Sequence, residues 1–273
     1  MRYFIRFSYR GTQYQGSQIQ PDAPTVQGEL ERALSLVMRK PVSVYFAGRT
    51  DAGVHASEMW GHCDLPCEEL SDDRIANLPF RLNGILPPDI AVQELVEVCD
   101  NAHARFDATA RTYEYRITFR KDPFHIDTRT RVRKNLDIDR MNTAAQSLLG
   151  RQDFQSFSRT RTDVKTFFCD ISEARWTIDK TAPDGSPEEA TFTITANRFL
   201  RNMVRAIVGT LFEIGYGKRP VESMQEVIAA RDRRASGESA PAEGLFLIPK
   251  RMYVCTINLR LLMSPVFIMV FGQ

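Results

Sequence analysis

Along the first hundred residues the hydrophobic period switches between two and 3.6, and each switch predicts an element. Arg2–Tyr9 sets Tyr3, Ile5 and Phe7 against Phe4, Arg6 and Ser8, the alternation of a strand. From Pro24-Thr25 onward, Val26, Leu30, Leu34 and Val37 share one helical face, and Lys40-Pro41 stops that helix. Val42–Phe46 and about Glu58–Leu65 predict strands. Asp72–Asn83 predicts a helix with Ser71 as N-cap, ending near Gly84 and Pro87-Pro88, and Ile90–Cys99 a further strand. The order is β-α-β-β-α-β, a ferredoxin-like unit.

The same order recurs. Arg111–Phe119 alternates Tyr113, Tyr115, Ile117 and Phe119 against polar neighbours. Ile138–Leu149 carries Met141, Ala144, Ala145 and Leu148 at helical spacing and ends at Gly150. Lys165–Ile178 and Ala190–Asn197 predict strands around the turn-rich Pro183–Pro187, and Leu200–Ile214 a strongly amphipathic helix ending at Gly215 and Gly217. A short helix from Val221 and a loop over Ser236–Gly244 lead to a last strand, Arg251–Leu262. The order of elements repeats without a repeat of sequence. The expected fold class is therefore α+β, with two ferredoxin-like domains over residues 1–104 and 105–263 and an unassigned tail, 264–273. Whether the two units join edge to edge or face to face, their junction makes a cleft.

Composition narrows this picture only a little. The chain is 43% hydrophobic and 26% charged, an ordinary globular balance, and no apolar run reaches a membrane span. Its start alternates like a strand instead of carrying a signal-peptide core. Five scattered cysteines argue for reduced thiols and a cytoplasmic location. Cys63, Cys67 and His62 form a lone candidate metal cluster with no second pair at zinc-site spacing, which favours plain thiols. The net charge of +2 implies no nucleic-acid partner by itself. Of the 36 basic residues, however, 29 are Arg, and they cluster over Arg105–Arg140 and Arg198–Arg219. Two solvated faces or an RNA-binding surface would both look like this.

Candidate chemistry gathers in Ala47–Ala56, AGRTDAGVHA, directly after an apolar run. Asp51 reads locally as an Asx-turn residue bonding the backbone two positions on, with Gly53 at positive φ. The alternative makes Asp51 a nucleophile or base on a strand-end loop, oriented by Arg49, whose guanidinium favours the charged carboxylate. His55 reads as a structural histidine, a general acid, or half of an Asp-His metal pair lacking a third ligand. Tyr113 is either core packing or an aromatic platform for a base. Arg201 and Arg205, spaced i, i+4, read as a solvated stripe, but Arg205 lies at the edge of the apolar face, where a guanidinium needs an anionic partner.

At these residues the sequence resembles a family. AGRTDAGVHA is similar to the signature loop of the bacterial tRNA pseudouridine synthase A family. Further similar stretches follow in order: YRGTQYQGSQIQ, TVQGELERAL, RLNGILPPDI, HARFDATARTYEY, DFQSFS, NRFLRNMVRAIVGTLFEIGYG and APAEGLFL, so the resemblance spans about Met1 to Leu262. It implies two ferredoxin-like domains with sheets joined around a central cleft, in a homodimer cradling one tRNA. It implies conversion of uridine to pseudouridine at positions 38, 39 and 40 of the anticodon stem-loop, with no cofactor and no metal. Asp51 is then the catalytic aspartate and Arg49 the residue that holds a flipped state open. Arg205 becomes the basic partner of the aspartate, Tyr113 the ring stacked on the target base, and Leu245 an apolar wall. Three features depart from the pattern: Ser17 stands where tryptophan is usual, Ala102 where phenylalanine is usual, and the tail 264–273 has no counterpart.

Without the resemblance, three other classes would fit: an RNA-binding module without catalysis, a metal-dependent phosphoesterase using Asp51 and His55, and a small-molecule enzyme on the same fold.

Overall fold

A computed structural model describes residues 1–66, 72–133, 136–159 and 164–248. In the first part, strand β1 (Arg2–Tyr9) leads to helix α1 (Val26–Met38), then β2 (Tyr45–Phe46), β3 (His55–Asp64), α2 (Asp72–Ala76), α3 (Leu78–Asn83) and β4 (Ile90–Val98). The second part runs β5 (Arg111–Thr118), β6 (Thr130–Arg131), α4 (Ile138–Ala145), β7 (Gly150–Asp153), β8 (Phe168–Thr181), β9 (Pro187–Ala196), α5 (Met203–Gly215), α6 (Ser223–Ala230) and β10 (Leu245–Ile248).

All ten strands form one sheet in the order β4-β1-β3-β10-β5-β9-β8-β7, with β2 added to β3 and β6 to β5. The pairing is antiparallel except for β3 with β10 and β5 with β6. The fold is thus α+β with a mostly antiparallel sheet. Strand β10 is the seam: Leu247 lies opposite Ala56 of β3 on one side and opposite Tyr113 of β5 on the other. Two cores flank it. One packs Leu30 and Leu34 of α1 with Phe7, Met59 and Leu82, and the other packs Met141, Phe154, Trp176 and Ile207. Tyr113 touches both.

Local chemistry explains several element ends. The Thr25 side chain accepts the Gly28 N–H and caps α1, while Asp137 caps α4 through the Arg140 N–H. The helix expected over Asp72–Asn83 is two helices, because Pro79 near the start of α3 has no amide to continue the ladder. Helix α5 begins at Met203 and not at Leu200, since Asn202 takes a left-handed φ of 65°. Short β6 and β7 follow from no alternation in the sequence; each exists by pairing with a longer neighbour. The expected strand Arg251–Leu262, the N-cap Ser71 and the tail 264–273 lie outside the described residues. The strand that closes the sheet among those described is Leu245–Ile248, a fully apolar four-residue run with no period to announce it.

Candidate active site

The loop between β2 and β3 turns on Gly53, whose φ of 77° and close approach to the Ala242 side chain suit glycine alone. The turn closes through the backbone, with the Val54 N–H donating to the Asp51 carbonyl at 3.2 Å. The Asx-turn is not formed, because the Gly53 N–H that it would need donates instead to the Tyr14 carbonyl at 3.3 Å. The Asp51 carboxylate is thereby left free of the loop, with its side chain 29% exposed. Its nearest cationic partner among the described residues is Arg201, with Nε 3.7 Å from Oδ1.

Thr50, one residue before, is held on every side. Its N–H donates to the Ser17 Oγ at 2.8 Å, its carbonyl accepts the Ser17 N–H at 3.1 Å, and its hydroxyl bonds the Tyr9 hydroxyl at 2.8 Å. His55 closes the other end of the loop. Its Nδ1 accepts the Gly11 N–H at 3.0 Å, so the ring is neutral with the proton on Nε2, which donates to the Glu243 carbonyl at 3.1 Å. Burial pushes the His55 pKa below the usual histidine value, as this neutral role requires. Gly11 can approach so closely only without a Cβ, which would meet the Val54 carbonyl oxygen at 1.9 Å. His55 is therefore a structural bracket. Both its ring nitrogens are engaged, so the lone pair a metal ion would take is already used.

Tyr113 is half-buried and meets Phe199 edge-on, centroids 5.1 Å apart at 89°. Burial, and then the charge of Asp51, push its pKa above the ordinary tyrosine value, so its hydroxyl stays a donor. Tyr115 is fully buried instead and bonds Thr130 and the Pro241 carbonyl. The two tyrosines share a strand face but not an environment: one is core, the other borders Asp51.

Arg205 does not reach Asp51. Its Nε donates to the Ala240 carbonyl at 2.7 Å, and its own carbonyl accepts the Ala240 N–H at 2.9 Å. It thus pins the loop before β10 to α5, while Asn202 adds a bond to the Ser239 hydroxyl at 2.6 Å. Leu245, at the end of that loop, is buried opposite Tyr115. Arg49 is exposed and makes no hydrogen bond or ion pair among the described residues.

Arg111 is the residue that pattern reading passes over. Its guanidinium donates to the carbonyls of Ala47, Arg105, Ala108 and Asn197, at 2.7 to 3.1 Å. One side chain so gathers the start of the Asp51 loop, the connection between β4 and β5, and the segment leading into α5. The sequence signal was present only as an arginine at the first position of a strand. Of the lone cysteine cluster, Cys63 is buried and its thiol is pushed up to about 12 by that burial, while Cys67 lies outside the described residues. No three His, Cys, Asp or Glu side chains converge among the described residues.

The site is a carboxylate that its own turn leaves unused, on a braced loop at the seam of a mostly antiparallel sheet, with a tyrosine ring and the Arg201 guanidinium beside it. That arrangement defines a class: an α+β protein equipped for nucleophilic or acid–base work on an anionic ligand. Comparison with known proteins narrows the class. The sequence profile described as tRNA pseudouridine synthase matches residues 144–251. The tRNA pseudouridine synthase A of Porphyromonas gingivalis is 50% identical over 246 residues, covering 90% of this chain and 95% of that protein. Those of Bacteroides thetaiotaomicron and Bacteroides fragilis are 51% and 49% identical, covering 90% of this chain and 89% and 94% of theirs. The chain belongs to the tRNA pseudouridine synthase A family, whose members are isomerases.

Proposed function

We propose that this protein isomerises uridine to pseudouridine at positions 38, 39 and 40 of the tRNA anticodon stem-loop, by covalent catalysis through Asp51. The observation that carries the reading is the freed carboxylate: the Asp51 side chain takes no part in the turn, is partly exposed, and borders Tyr113 and Arg201. A nucleophile needs that combination of fixed backbone and unspent oxygen.

A base within a stem must leave its stack, which costs a few kcal/mol. Arg49, exposed beside the nucleophile, fills the space the base leaves. The flipped uracil lies on the Tyr113 ring against Leu245. Asp51 adds to uracil C6 or to ribose C1′, the C1′–N1 bond breaks, the uracil turns, and C5 bonds C1′. The C5 proton is then lost, N1 takes up a proton in its place, and the aspartate leaves as a free carboxylate, so no electrons enter or leave and no cofactor is needed. Arg205 is the basic residue of the site, its Nη groups left to pair the aspartate when RNA draws Arg201 away.

The reading extends to architecture and setting. Along the sheet the first half runs as its fourth, first, third and second strands, and the second half runs β10, β5, β9, β8, the same order once the short β6 and β7 are set aside, which supports two ferredoxin-like domains over 1–104 and 105–263 joined around a central cleft. The protein acts as a homodimer on one tRNA, in the cytoplasm where tRNA is modified. Among the described residues no helix is long and apolar enough to cross a membrane.

Incubating tRNA labelled in uridine with the parent protein and with Asp51→Asn tests the mechanism. The parent is expected to form pseudouridine at the three positions and the variant none. A variant working at the parent's rate removes Asp51 from the chemistry, and loss of the parent's activity on chelation removes the cofactor-free route.

A further inference from the structure

We infer that Ser17 and Tyr9 are positioning residues for the nucleophile, acting through Thr50 to set the direction in which the Asp51 carboxylate leaves its loop. The inference rests on Asp51 being the nucleophile, and it concerns how that residue is held.

Three buried side chains make the device. Ser17 is fully buried, Tyr9 and Thr50 nearly so, and each sits on a different segment. Ser17 is bound at both its backbone groups as well as its hydroxyl. Its carbonyl accepts the Gln27 N–H at 3.0 Å, at the start of α1, while its N–H and Oγ take the Thr50 carbonyl and N–H. The peptides on both sides of Thr50 are therefore oriented by one residue, which is itself fastened to a helix N-terminus. The neighbouring Gly16, at a φ of 108°, comes close enough to Thr50 that a Cβ there would stand 3.0 Å from its carbonyl oxygen. Tyr9 supplies the remaining bond, from the end of β1 to the Thr50 hydroxyl.

Asp51 itself is held by one backbone bond, its carbonyl accepting the Val54 N–H at 3.2 Å, and its side chain is spent on no turn bond. The direction of the carboxylate therefore depends on its neighbours. After it, the Gly53 N–H is held by the Tyr14 carbonyl; before it, the restraint passes through Thr50. A reacting atom displaced by about 1 Å loses on the order of a hundredfold in rate, so small disorder at Thr50 is a kinetic event. A serine at position 17 is suited to this task in a way an indole is not, because its hydroxyl accepts the Thr50 amide whereas an indole N–H is a donor only.

The experiment compares Ser17→Ala, Tyr9→Phe, Thr50→Val and Thr50→Ser with the parent. Single-turnover pseudouridine formation at saturating protein, tRNA dissociation constant, melting temperature and amide exchange of residues 47–56 are measured for each. The first three variants should react about ten- to a hundredfold more slowly. Their tRNA affinity should stay within about twofold, and exchange should rise in 47–56 only. Thr50→Ser keeps the hydroxyl and the amide and should react at the parent's rate. The Ser17→Ala/Tyr9→Phe pair should lose less than the product of the single losses, because both act through one residue.

Equal rates in an active parent and all variants overturn the inference and leave the function standing. Slowing that is matched by lost tRNA affinity or by unfolding also overturns it, by making the network a fold brace. A parent that forms no pseudouridine overturns the function, and this inference with it.

Discussion

The Asp51 carboxylate faces Arg201 at 3.7 Å, while Arg205, four residues further along, gives its Nε to the Ala240 carbonyl at 2.7 Å. Arg201, just before α5, and Arg205, within it, thus do different things. Arg201 is 58% exposed, and an exposed pair at that distance contributes about 0–1 kcal/mol, so RNA phosphate can displace it at little cost. Arg205→Ala leaves the Ala240 carbonyl without its charged donor and should lower stability by about 1–3 kcal/mol. It should also slow the reaction. Arg201→Ala should leave the melting temperature within about 4 °C and mainly weaken tRNA binding. Melting curves and binding isotherms on the two variants separate these roles.

Arg49 is exposed, has no partner among the described residues, and is next to the nucleophile. Arg49→Ala should melt like the parent yet react about a hundredfold more slowly on a stem uridine than on the same uridine in an unpaired strand, since only the stem requires extrusion. Binding of tRNA should fall steeply with salt for both proteins, and the slope of log affinity against log salt should change by less than about one unit between them. Equal slowing on both substrates would give Arg49 a role in the chemical step instead.

His62 makes stability depend on pH. Its Nδ1 accepts the Ala104 N–H at 3.3 Å, and burial, followed by the neighbouring His103 and Arg2, lowers its pKa from 6.5 to about 4. Between these values the unfolded chain binds a proton that the folded one refuses. The contribution is therefore complete above pH 6.5 and is lost as pH falls toward 4, up to about 3 kcal/mol. His55 acts in the same direction. Denaturant midpoints measured from pH 7.5 to 4 should drop for the parent and drop less for His62→Asn, which keeps the acceptor but cannot titrate.

Arg111 ties four carbonyls from three segments with one planar group. Lysine offers a single ammonium and cannot span them. Arg111→Lys should cost about 2–4 kcal/mol, and millimolar guanidinium should restore part of the activity of Arg111→Ala where equal ammonium does not. Stability measurements and a rescue titration decide it.

How much of this was legible depended on whether the cause was local. Thr25 and Asp137 announce their helices because a cap is a bond within four residues. The split of Asp72–Asn83 was legible in principle at Pro79, but the apolar spacing ran through it. Leu245–Ile248 could not be read as the central seam strand, since a strand buried between two neighbours has no polar face to produce alternation. Asp51 shows the same limit at the site. Asp-Ala-Gly reads as an Asx-turn, and the competing acceptor, the Tyr14 carbonyl, lies 39 residues away in sequence and adjacent only in the fold.

The sequence alone determined most of the longer strands and helices and their succession, the glycine-flanked loop and its aspartate, and through the resemblance the family. These follow from periodicity, capping and turn chemistry, which act over a few residues. Tertiary structure alone decided that β10 joins the halves, that Ser17 and Tyr9 grip Thr50, that His55 is a neutral bracket, and that Arg201 rather than Arg205 faces the carboxylate. Each of those depends on which hydrogen-bonding group lies nearest once distant segments pack together, and the distance along the chain carries no record of that.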